Sequence, residues 1–395
     1  MKMPCGVKRI LSRLEEAGYQ AYLVGGCVRD HFMGNGPHDF DITTDALPSE
    51  IIALFSDFRV EETGLQHGTV TVVADHLSLE ITTFRTEGAY SDHRHPDQVE
   101  FTRSVEEDLA RRDFTMNAIA CSMEGGVVDP FGGRADIEKG LIRCVGEPAL
   151  RFEEDALRIL RALRFAARLG FEIEGKTKAA LFCCAHLLRK IAAERILAEL
   201  KGILIAQRAG EILLEYEPIL KEILPDLSAD CNILGKLLPK ESLRFAGWLW
   251  PMGETGAKEI LQKLKGSNRL QRETRLLIQG QKIAYSSAPQ RVEVRKAISR
   301  FGEALYFDHL LLQRAANRMD EESYGAARSM AEKMLEEGIC LNLRALAVGG
   351  EELMALGFSG AKIGAALNRL FDLVMEEKLP NEKEALLDFA KNLEK

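Results

Sequence analysis

Two aspartates separated by one residue form the first pattern in this chain that could do chemistry. Asp39 and Asp41 lie in the segment DFDIT, which predicts a short β-strand. Side chains at i and i+2 of a strand point to the same face, about 7 Å apart along the chain. Two such carboxylates repel each other unless a cation lies between them, and Mg²⁺ suits oxygen ligands completed by substrate phosphates. On spacing alone, a solvent-facing strand with Phe40 and Ile42 inward is the more common structure.

A glycine turn upstream makes the metal interpretation stronger. The predicted strand YLV at 22–24 runs into Gly25 and Gly26 and then into a short helix that contains Arg29. Glycine lets the backbone approach a ligand closely, and a helix N-terminus offers N–H groups to phosphate. A glycine pair alone usually marks a tight turn. Followed by an acidic strand, it predicts one element that holds a triphosphate and another that holds its metal.

A third carboxylate, Glu80, lies in the predicted strand LSLEITTF at 77–84. If this strand pairs beside DFDIT, Glu80 joins the two aspartates. There it could hold a metal or accept the proton of an attacking hydroxyl. An exposed strand glutamate is equally consistent with the spacing.

Paired arginines follow a short predicted helix that Ser104 and Glu107 open as a capping box. Arg111 and Arg112 precede Asp113. Guanidinium groups match pairs of phosphate or ribose oxygens, so these arginines are candidates for nucleotide binding. Adjacent surface arginines are also common, and the glycine turn and the acidic strand favour the functional interpretation.

The segment RFEEDALRILRALRFAARLG at 151–170 predicts one long helix. Asp155 and Arg158 are three residues apart and would share a face. Cytosine and adenine present an amino donor beside an acceptor nitrogen, whereas uracil and guanine present the inverse. A carboxylate beside a guanidinium would therefore accept C and A and leave unpaired buried groups against U and G. The alternative is an ordinary helical ion pair. Arg161, Arg164 and Arg168 extend a basic surface suited to phosphates or to solvent.

The elements that position these residues change along the chain. In the first ~140 residues short strands alternate with short helices, and beyond them the pattern is almost wholly helical. The polar segment RTEGAYSDHRHPD between Arg85 and Asp97 predicts a mobile loop. The sequence therefore predicts an α/β head followed by helices.

Composition excludes several classes of protein. Of 395 residues, 46% are hydrophobic and 28% charged, which excludes a disordered chain. A net charge of −8 excludes a protein that coats nucleic acid through bulk charge, but not one that gathers arginines in a cleft. No apolar stretch is long enough for a membrane span, and the charged N-terminus does not resemble a secretory signal. Eight cysteines without CxxC spacing predict reduced thiols and a cytoplasmic protein.

Seven ordered motifs over roughly residues 20–205 resemble the class II tRNA nucleotidyltransferases, the CCA-adding enzymes of the polymerase-β-like nucleotidyltransferase superfamily. The matching segments are LVGGCVRD (23–30), DFDITT (39–44), EITTFR (80–85), RRDFTMNAIA (111–120), DPFGG (129–133), EEDALRILRALRF (153–165) and AERILAELKGIL (193–204). The resemblance implies an α+β fold, with a polymerase-β-like head (small mixed sheet with helices) followed by an all-α neck, body and tail. We place these at 1–140, 141–205, 206–325 and 326–395.

The resemblance also implies an activity and a set of site residues. The family transfers CMP, CMP and AMP from CTP and ATP to the tRNA 3′ end and releases pyrophosphate. Asp39 and Asp41 would bind Mg²⁺, with Glu80 as third catalytic carboxylate, and Arg195 with Glu194 would brace the helix that selects the nucleotide. The residues expected to bind nucleotide are Gly25, Gly26, Arg29, Arg111, Arg112, Asp113, Asp155, Arg158, Arg161 and Arg164.

The tail resembles Gram-positive-type members of the family. Its segment GFSGAKIG, with Gly360, Lys362 and Gly364, could present backbone N–H groups to an RNA phosphate, or could be a plain helix–turn–helix joint.

Several alternatives stay open at this point. A poly(A) polymerase usually carries a GRRF-like element that ETGLQHGTVTVV lacks, and a CC-adding specialist has a shortened flexible loop, whereas the loop at 85–97 is full length. An A-adding specialist is a further alternative, and so is an RNA-binding protein that has lost catalysis. No membrane partner is expected, and the sequence leaves open whether the protein is a monomer or a homodimer.

Overall fold

The computed structural model describes residues 2–37, 39–87 and 99–393. The chain divides into two compact units, Met1–Leu227 and Ser228–Lys395. The predicted α+β architecture is confirmed, with a mixed sheet in the first unit and a helical remainder. Within the described ranges, no helix is long and apolar enough to cross a membrane. The four-domain division stays a prediction, and its boundary at 325/326 falls inside the helix Glu321–Glu336.

Short strands with alternating burial build the sheets, as in Thr69–Ala74, where every second residue is buried. In chain order the strands are β1 (Ala21–Val24), β2 (Asp41–Thr44), β3 (Arg59–Glu61), β4 (Thr69–Ala74), β5 (Leu77–Thr83), β6 (Arg85–Glu87), β7 (Val99–Phe101), β8 (Ala120–Cys121), β9 (Val127–Val128), β10 (Leu141–Ile142) and β11 (Glu172–Ile173).

The main sheet has the order β3-β4-β5-β2-β1-β8-β9. Strands β2 and β5 pair in parallel, and the other neighbours in this sheet are antiparallel. The parallel register places Asp41 opposite Glu80. Parallel pairing needs a crossover between the two strands, which α3, β3 and β4 supply after β2 (α3 is Pro48–Leu54). The acidic strand and the Glu80 strand are therefore neighbours, as the sequence analysis required.

Two sequence expectations about strands need correction. The acidic strand begins at Asp41, so Asp39 lies before it rather than within it, although Phe40 and Ile42 are both buried as the alternation predicts. The predicted loop at 85–97 starts later, because Arg85–Glu87 forms β6 and pairs with β7. The rest of that predicted loop lies outside the described residues.

The helices of the first unit pack around the sheet and then on one another. Apolar side chains at helical spacing, such as Ile10, Leu11 and Leu14, are fully buried. The helices are α1 (Cys5–Glu16), α2 (Gly26–Phe32), α3, α4 (Val105–Ala110), α5 (Gly133–Glu138), α6 (Pro148–Glu154), α7 (Leu157–Leu169), α8 (Gly175–Cys184), α9 (Ala193–Leu204), α10 (Ala209–Glu215) and α11 (Glu217–Ile223).

The predicted helix over 151–170 is instead two helices, α6 and α7, separated at Asp155. The backbone of Asp155 is extended, with φ −137° and ψ 100°. Its carboxylate accepts a hydrogen bond from the Leu157 N–H at 3.0 Å, which satisfies a donor at the start of α7. Aspartate competes with helical hydrogen bonding in this way, so an uninterrupted helix was the wrong prediction.

The second unit consists of helices, and its apolar side chains include two clusters of buried residues. One cluster includes Val294, Tyr306 and Met334, and the other includes Leu353, Leu370 and Leu386. The helices are α12 (Glu241–Trp248), α13 (Gly253–Lys263), α14 (Asn268–Gln279), α15 (Arg291–Phe301), α16 (Glu303–Ala315), α17 (Glu321–Glu336), α18 (Gly350–Ala355), α19 (Ala361–Met375) and α20 (Lys383–Lys391).

Candidate active site

A cavity of about 590 Å³ in the first unit collects most of the residues that the sequence singled out. All of the predicted nucleotide-binding residues line it, together with Asp41. Asp39 and Glu80 are not part of the lining. The additional lining residues are His67, Arg85, Asn117, Leu157, Phe165, Arg168 and Arg195. Residues from the glycine turn, the sheet and the helices after Asp155 therefore meet at one place.

The carboxylates form an acidic group at the sheet end of the cavity. Asp41 and Glu80 are register partners on parallel strands, so their side chains point to the same face. Desolvation in the pocket raises the pKa of Asp41 above its ordinary value, and the Glu80 and Asp39 carboxylates raise it further, while Arg112 opposes them. Clustered carboxylates of this kind are a set of oxygen donors that favours a bound cation.

This donor set fits a divalent metal that also binds substrate. Among the described residues, no group of three His, Cys, Asp or Glu side chains lies close enough to hold an ion alone. A Mg²⁺-like ion needs only one or two carboxylates when substrate phosphates and water complete its coordination. The acidic group beside an arginine-lined cavity therefore fits a metal–nucleotide complex.

The glycine turn brings the backbone close to both charges. Gly25 has φ +73°, a conformation that favours glycine. A Cβ at this position would lie 3.5 Å from both Arg112 Nη1 and Asp41 Oδ2. Arg29 follows on α2, almost completely buried, and its Nη1 donates to Asn117 Oδ1 at 2.9 Å. The turn therefore lies between the acidic group and the arginines that line the cavity, which we call the arginine wall: Arg29, Arg85, Arg111, Arg112, Arg158, Arg161, Arg164, Arg168 and Arg195.

Asp113 joins the head to helix α7. Its Oδ2 accepts two hydrogen bonds from Arg161, at 2.6 and 2.9 Å, and its Oδ1 accepts one from Asn117 at 3.1 Å. Burial alone would raise the pKa of Asp113, but the charge of Arg161 and these hydrogen bonds outweigh it, and the pKa lies below its ordinary value. Asp113 is therefore a buried, ionised acceptor.

Asp155 and Arg158 face the same cavity but do not pair with each other. Asp155 Oδ2 accepts from Arg195 Nη2 at 2.9 Å, and Arg158 Nη1 donates to Glu154 Oε2 at 2.6 Å. The two groups therefore have different ion-pair partners, Arg195 for Asp155 and Glu154 for Arg158. The break before α7 turns the Asp155 carboxylate toward α9, so each group has its own brace.

Arginines around Phe165 complete the wall. The guanidinium groups of Arg29, Arg161 and Arg164 lie 5.3, 5.6 and 4.7 Å from the centre of this ring, within the range of cation–π attraction. Arg164 also donates to Glu199 on α9 at 2.6 Å. These contacts hold the cations against the wall rather than in solvent.

Five cavity residues escaped the sequence analysis as candidate site residues, namely His67, Arg85, Asn117, Leu157 and Phe165. Phe165 carries the apolar spacing of a core residue, which hides its contacts with cations. Asn117 lies four residues after Asp113, a helical-turn spacing that could have signalled their hydrogen bond. His67 comes from the 3₁₀ turn Leu65–His67, and no local pattern predicts its place in the cavity.

Comparison with known proteins agrees with this geometry. Residues 21–143 match the family described as Poly A polymerase head domain, 170–231 the one described as Probable RNA and SrmB- binding site of polymerase A, and 238–390 the one described as tRNA nucleotidyltransferase domain 2 putative. The CCA-adding enzyme of Lactiplantibacillus plantarum is 37% identical, with 97% of this chain and 95% of that protein covered. The chain belongs to the CCA-adding enzyme family.

Solved structures of family members extend the comparison. The Bacillus stearothermophilus CCA-adding enzyme in complex with CTP has a TM-score of 0.83 and 30% identity, and the alignment covers 99% of this chain and 97% of that one. A tRNA nucleotidyltransferase complexed with a primer tRNA and an incoming ATP analog has a TM-score of 0.64 and 26% identity, with 83% and 99% covered. The chain is a tRNA nucleotidyltransferase, and enzymes of this kind need divalent metal ions.

Proposed function

We propose that this enzyme adds CMP, CMP and AMP in turn to the 3′ end of tRNA, using CTP and ATP and releasing pyrophosphate. The observation that carries the proposal is the single cavity in which the acidic strand, the glycine turn and the base-selecting pair Asp155 and Arg158 meet. The relatives with bound CTP and with primer tRNA support the same substrates. The activity serves tRNA maturation and repair.

In this reaction the tRNA 3′-hydroxyl attacks the α-phosphorus in line with the departing pyrophosphate. Asp39 and Asp41 would hold Mg²⁺, and Glu80 would complete the carboxylate group and accept the hydroxyl proton. When bound, the metal would supply charge stabilisation at the attacking and leaving oxygens. The raised pKa of Asp41 beside two other carboxylates supports this assignment. Activity restored to metal-stripped enzyme by Mg²⁺ rather than by Ca²⁺ would test the choice of ion.

Gly25, Gly26 and Arg29 would bind the triphosphate, with Arg111 and Arg112 on its phosphates. Asp113 would accept from the ribose hydroxyl. Arg161 and Arg164 would add positive charge along the same wall, which their lining positions support. Their carboxylate partners fix the geometry of these cations before the nucleotide arrives, so less side-chain freedom is lost on binding.

Asp155 and Arg158 would select the base. Arg195 contacts one oxygen of Asp155, and a carboxylate oxygen can accept a second hydrogen bond. Arg158 is held by Glu154 and by the backbone carbonyls of Arg151 and Arg111. An accepting carboxylate and a donating guanidinium match the pairing edges of C and A and oppose those of U and G. The separate braces support a fixed template, because neither group depends on the other for its position.

Gly360, Lys362 and Gly364 would contact tRNA in the second unit. Gly360 has φ +54° immediately before α19, and Lys362 and Gly364 are exposed in its first turn. Exposed N–H groups at a helix N-terminus suit an RNA phosphate. Replacing Lys362 with Ala should weaken tRNA binding without changing the affinity for CTP. We place the protein in the cytoplasm, which the free thiols of its cysteines support.

The decisive experiment is sequencing of the ends of a tRNA transcript that lacks CCA, after incubation with enzyme, Mg²⁺, CTP and ATP, together and singly. Ends that finish in CCA, with CTP alone stopping at CC and with UTP and GTP ignored, would establish the activity. An A tract would indicate a poly(A) polymerase. A stop at CC, or A added only to CC ends, would indicate a specialist, and no extension would indicate an RNA-binding protein.

A further inference from the structure

Asp108 lies on α4 and is a fully buried carboxylate behind the arginine wall. Arg111 and Arg112 follow it in the chain by three and four residues, just after the helix ends. Its Oδ1 accepts from Arg111 Nε and Nη2 at 2.9 and 2.8 Å, and its Oδ2 accepts from Arg112 Nη2 at 3.1 Å. One anion therefore holds the guanidinium groups of both Arg111 and Arg112, which line the cavity.

Two further groups tie Asp108 to the sheet. The Thr43 hydroxyl on β2, which donates to the Thr82 carbonyl at 3.1 Å, lies 3.4 Å from Oδ2, and the Arg85 backbone N–H at the start of β6 donates to Oδ1 at 3.4 Å. Burial by itself would raise the pKa of Asp108, but the charges of Arg112 and Arg111 outweigh it and lower the pKa. The carboxylate is therefore ionised and fixed by three different segments.

The held arginines connect to both ends of the nucleotide site. Arg112 lies beside Gly25 and Asp41, where metal and triphosphate would meet. The backbone carbonyl of Arg111 accepts from Arg158 Nη2 at 3.0 Å, which links this wall to the base-selecting arginine. A shift of Asp108 would therefore displace Arg111 and Arg112, which would bind the phosphates, more than Arg158, which would select the base.

We propose that Asp108 is a positioning residue that sets Arg111 and Arg112 for the triphosphate and touches no substrate itself. This inference rests on the proposed function, because it takes the nucleotide to be the ligand of the wall. Prepositioned guanidinium groups bind phosphate at lower entropic cost than free ones. Loss of the anchor should therefore weaken recognition of the β- and γ-phosphates and leave recognition of nucleoside and α-phosphate nearly intact.

The test compares Asp108→Asn with Asp136→Asn in the full-length enzyme. Asp136 is a matched control, because it is also a buried aspartate that accepts from an arginine, Arg143 Nε at 3.0 Å, yet Arg143 does not line the cavity as Arg111 and Arg112 do. Equilibrium binding of CTP and of CMP is measured for each variant. We expect Asp108→Asn to weaken CTP binding about tenfold, the effect of losing a hydrogen bond to a charged group, and to change CMP binding less than about twofold. Asp136→Asn should change neither.

Equal loss of CTP and CMP binding, or no loss of either, would overturn the proposal, because a purely structural aspartate does not distinguish phosphates. A second readout uses Arg112→Gln: adding Asp108→Asn to it should cost less than Asp108→Asn costs alone. Fully additive losses would also overturn the proposal. If Asp108→Asn does not fold, Asp108→Glu takes its place, because the longer side chain keeps the charge and displaces both guanidinium groups. Unchanged CTP binding by this variant would overturn the proposal.

Binding is measured without turnover, so the two hypotheses fail separately. A wild-type enzyme that prefers CTP to CMP through Asp108 but extends no tRNA would contradict the proposed function and support this inference. An enzyme that completes CCA ends while Asp108→Asn binds CTP normally would do the opposite.

Discussion

Buried arginines serve different purposes in the two units. In the first unit, Arg158 pairs with a carboxylate at the edge of a cavity and faces inward. In the second, the equally buried Arg295 donates to the backbone carbonyls of Cys340 and Val374, at 3.3 and 2.8 Å, and joins α15 to the last helices. Both arginines have carbonyl and carboxylate partners, because Arg158 also donates to the carbonyl of Arg111 and Arg295 lies 3.8 Å from Glu377. Arg158 differs in lining an open cavity, where it is a preset cation for a ligand.

One ion pair from each unit shows how differently charges are exposed. Asp108 is fully buried against Arg111, whereas Arg269 in the second unit is 82% exposed beside Glu273. Exposed pairs contribute little because water and salt screen them, while buried charges need compensation and are costly to leave unpaired. The first unit thus contains charges that are buried beside a cavity, in addition to exposed pairs such as Arg189 with Glu222.

The largest expected effect is on chemistry in the first unit. Replacing Asp41 with Ala should reduce nucleotide addition by at least about a thousandfold, because it removes a carboxylate that would hold the metal. Its affinity for tRNA should change little. The matched control is Asp388→Ala on the surface of the second unit, where the pair with Lys391 is exposed. Single-turnover addition to tRNA measures both. Surviving activity in Asp41→Ala would contradict the metal assignment.

Base choice should change next. Replacing Arg158 with Ala should lower the preference for CTP over UTP by about a hundredfold, because the buried donor that opposes the wrong pairing edge is lost. Arg189→Ala is the control, since this arginine of the same unit is exposed and pairs with Glu222. Competition between CTP and UTP in one reaction measures the ratio. An unchanged ratio would refute the template role of Arg158.

The sequence carried much of this site because its motifs are local. Gly25, Asp41 and Arg112 fall within short segments whose spacing predicts phosphate and metal chemistry, and the structure brings them to one cavity. The pairing of β2 with β5 was a conditional expectation for Glu80, and the register fulfils it. Short-range patterns were sufficient to single out these residues because each of them lies in its own continuous motif.

The sequence could not predict the partner of each charge. Asp155 had Arg158 at i+3, and Arg158 also had Glu154 at i−4, and both spacings suit a helical pair. The extended backbone at Asp155 and the hydrogen bond from Arg195, which is 40 residues away, determine the partner of Asp155. Competition between capping and helix, followed by long-range packing, decided the geometry, and neither is visible in periodicity.

Acid pH should lower the stability of the second unit through His309. His309 in the second unit is fully buried and stacks on Phe301 at 4.5 Å, with no hydrogen-bond partner for either ring nitrogen among the described residues. Burial lowers its pKa to about 3. Between pH 6.5 and 3 the unfolded state therefore binds a proton that the folded state does not, and stability falls as pH falls. At pH 5 the loss should be about 2 kcal/mol relative to neutral pH.

Asp113 in the first unit behaves differently over this range. The pKa of Asp113 is lowered, so its contribution is complete above the ordinary aspartate pKa and is lost only as pH falls below it. Both tryptophans, Trp248 and Trp250, lie in the second unit, so urea unfolding followed by their fluorescence at pH 7 and pH 5 reports that unit. His309→Phe should flatten the pH dependence. An equally steep dependence in this variant would assign the effect to other groups.

The smallest effect is expected from an exposed pair in the second unit. Arg328 and Glu332 are four residues apart on α17, joined at 2.9 Å and each about half exposed. Their coupling should be below about 0.5 kcal/mol, because solvent screens the attraction and ordering two long side chains costs entropy. A double-mutant cycle with both Ala variants, followed by tryptophan fluorescence in urea at low and high salt, measures it. A coupling above about 1 kcal/mol that persists in high salt would mean that surface charges stabilise this unit directly, and the contrast between the units would then rest on the cavity alone.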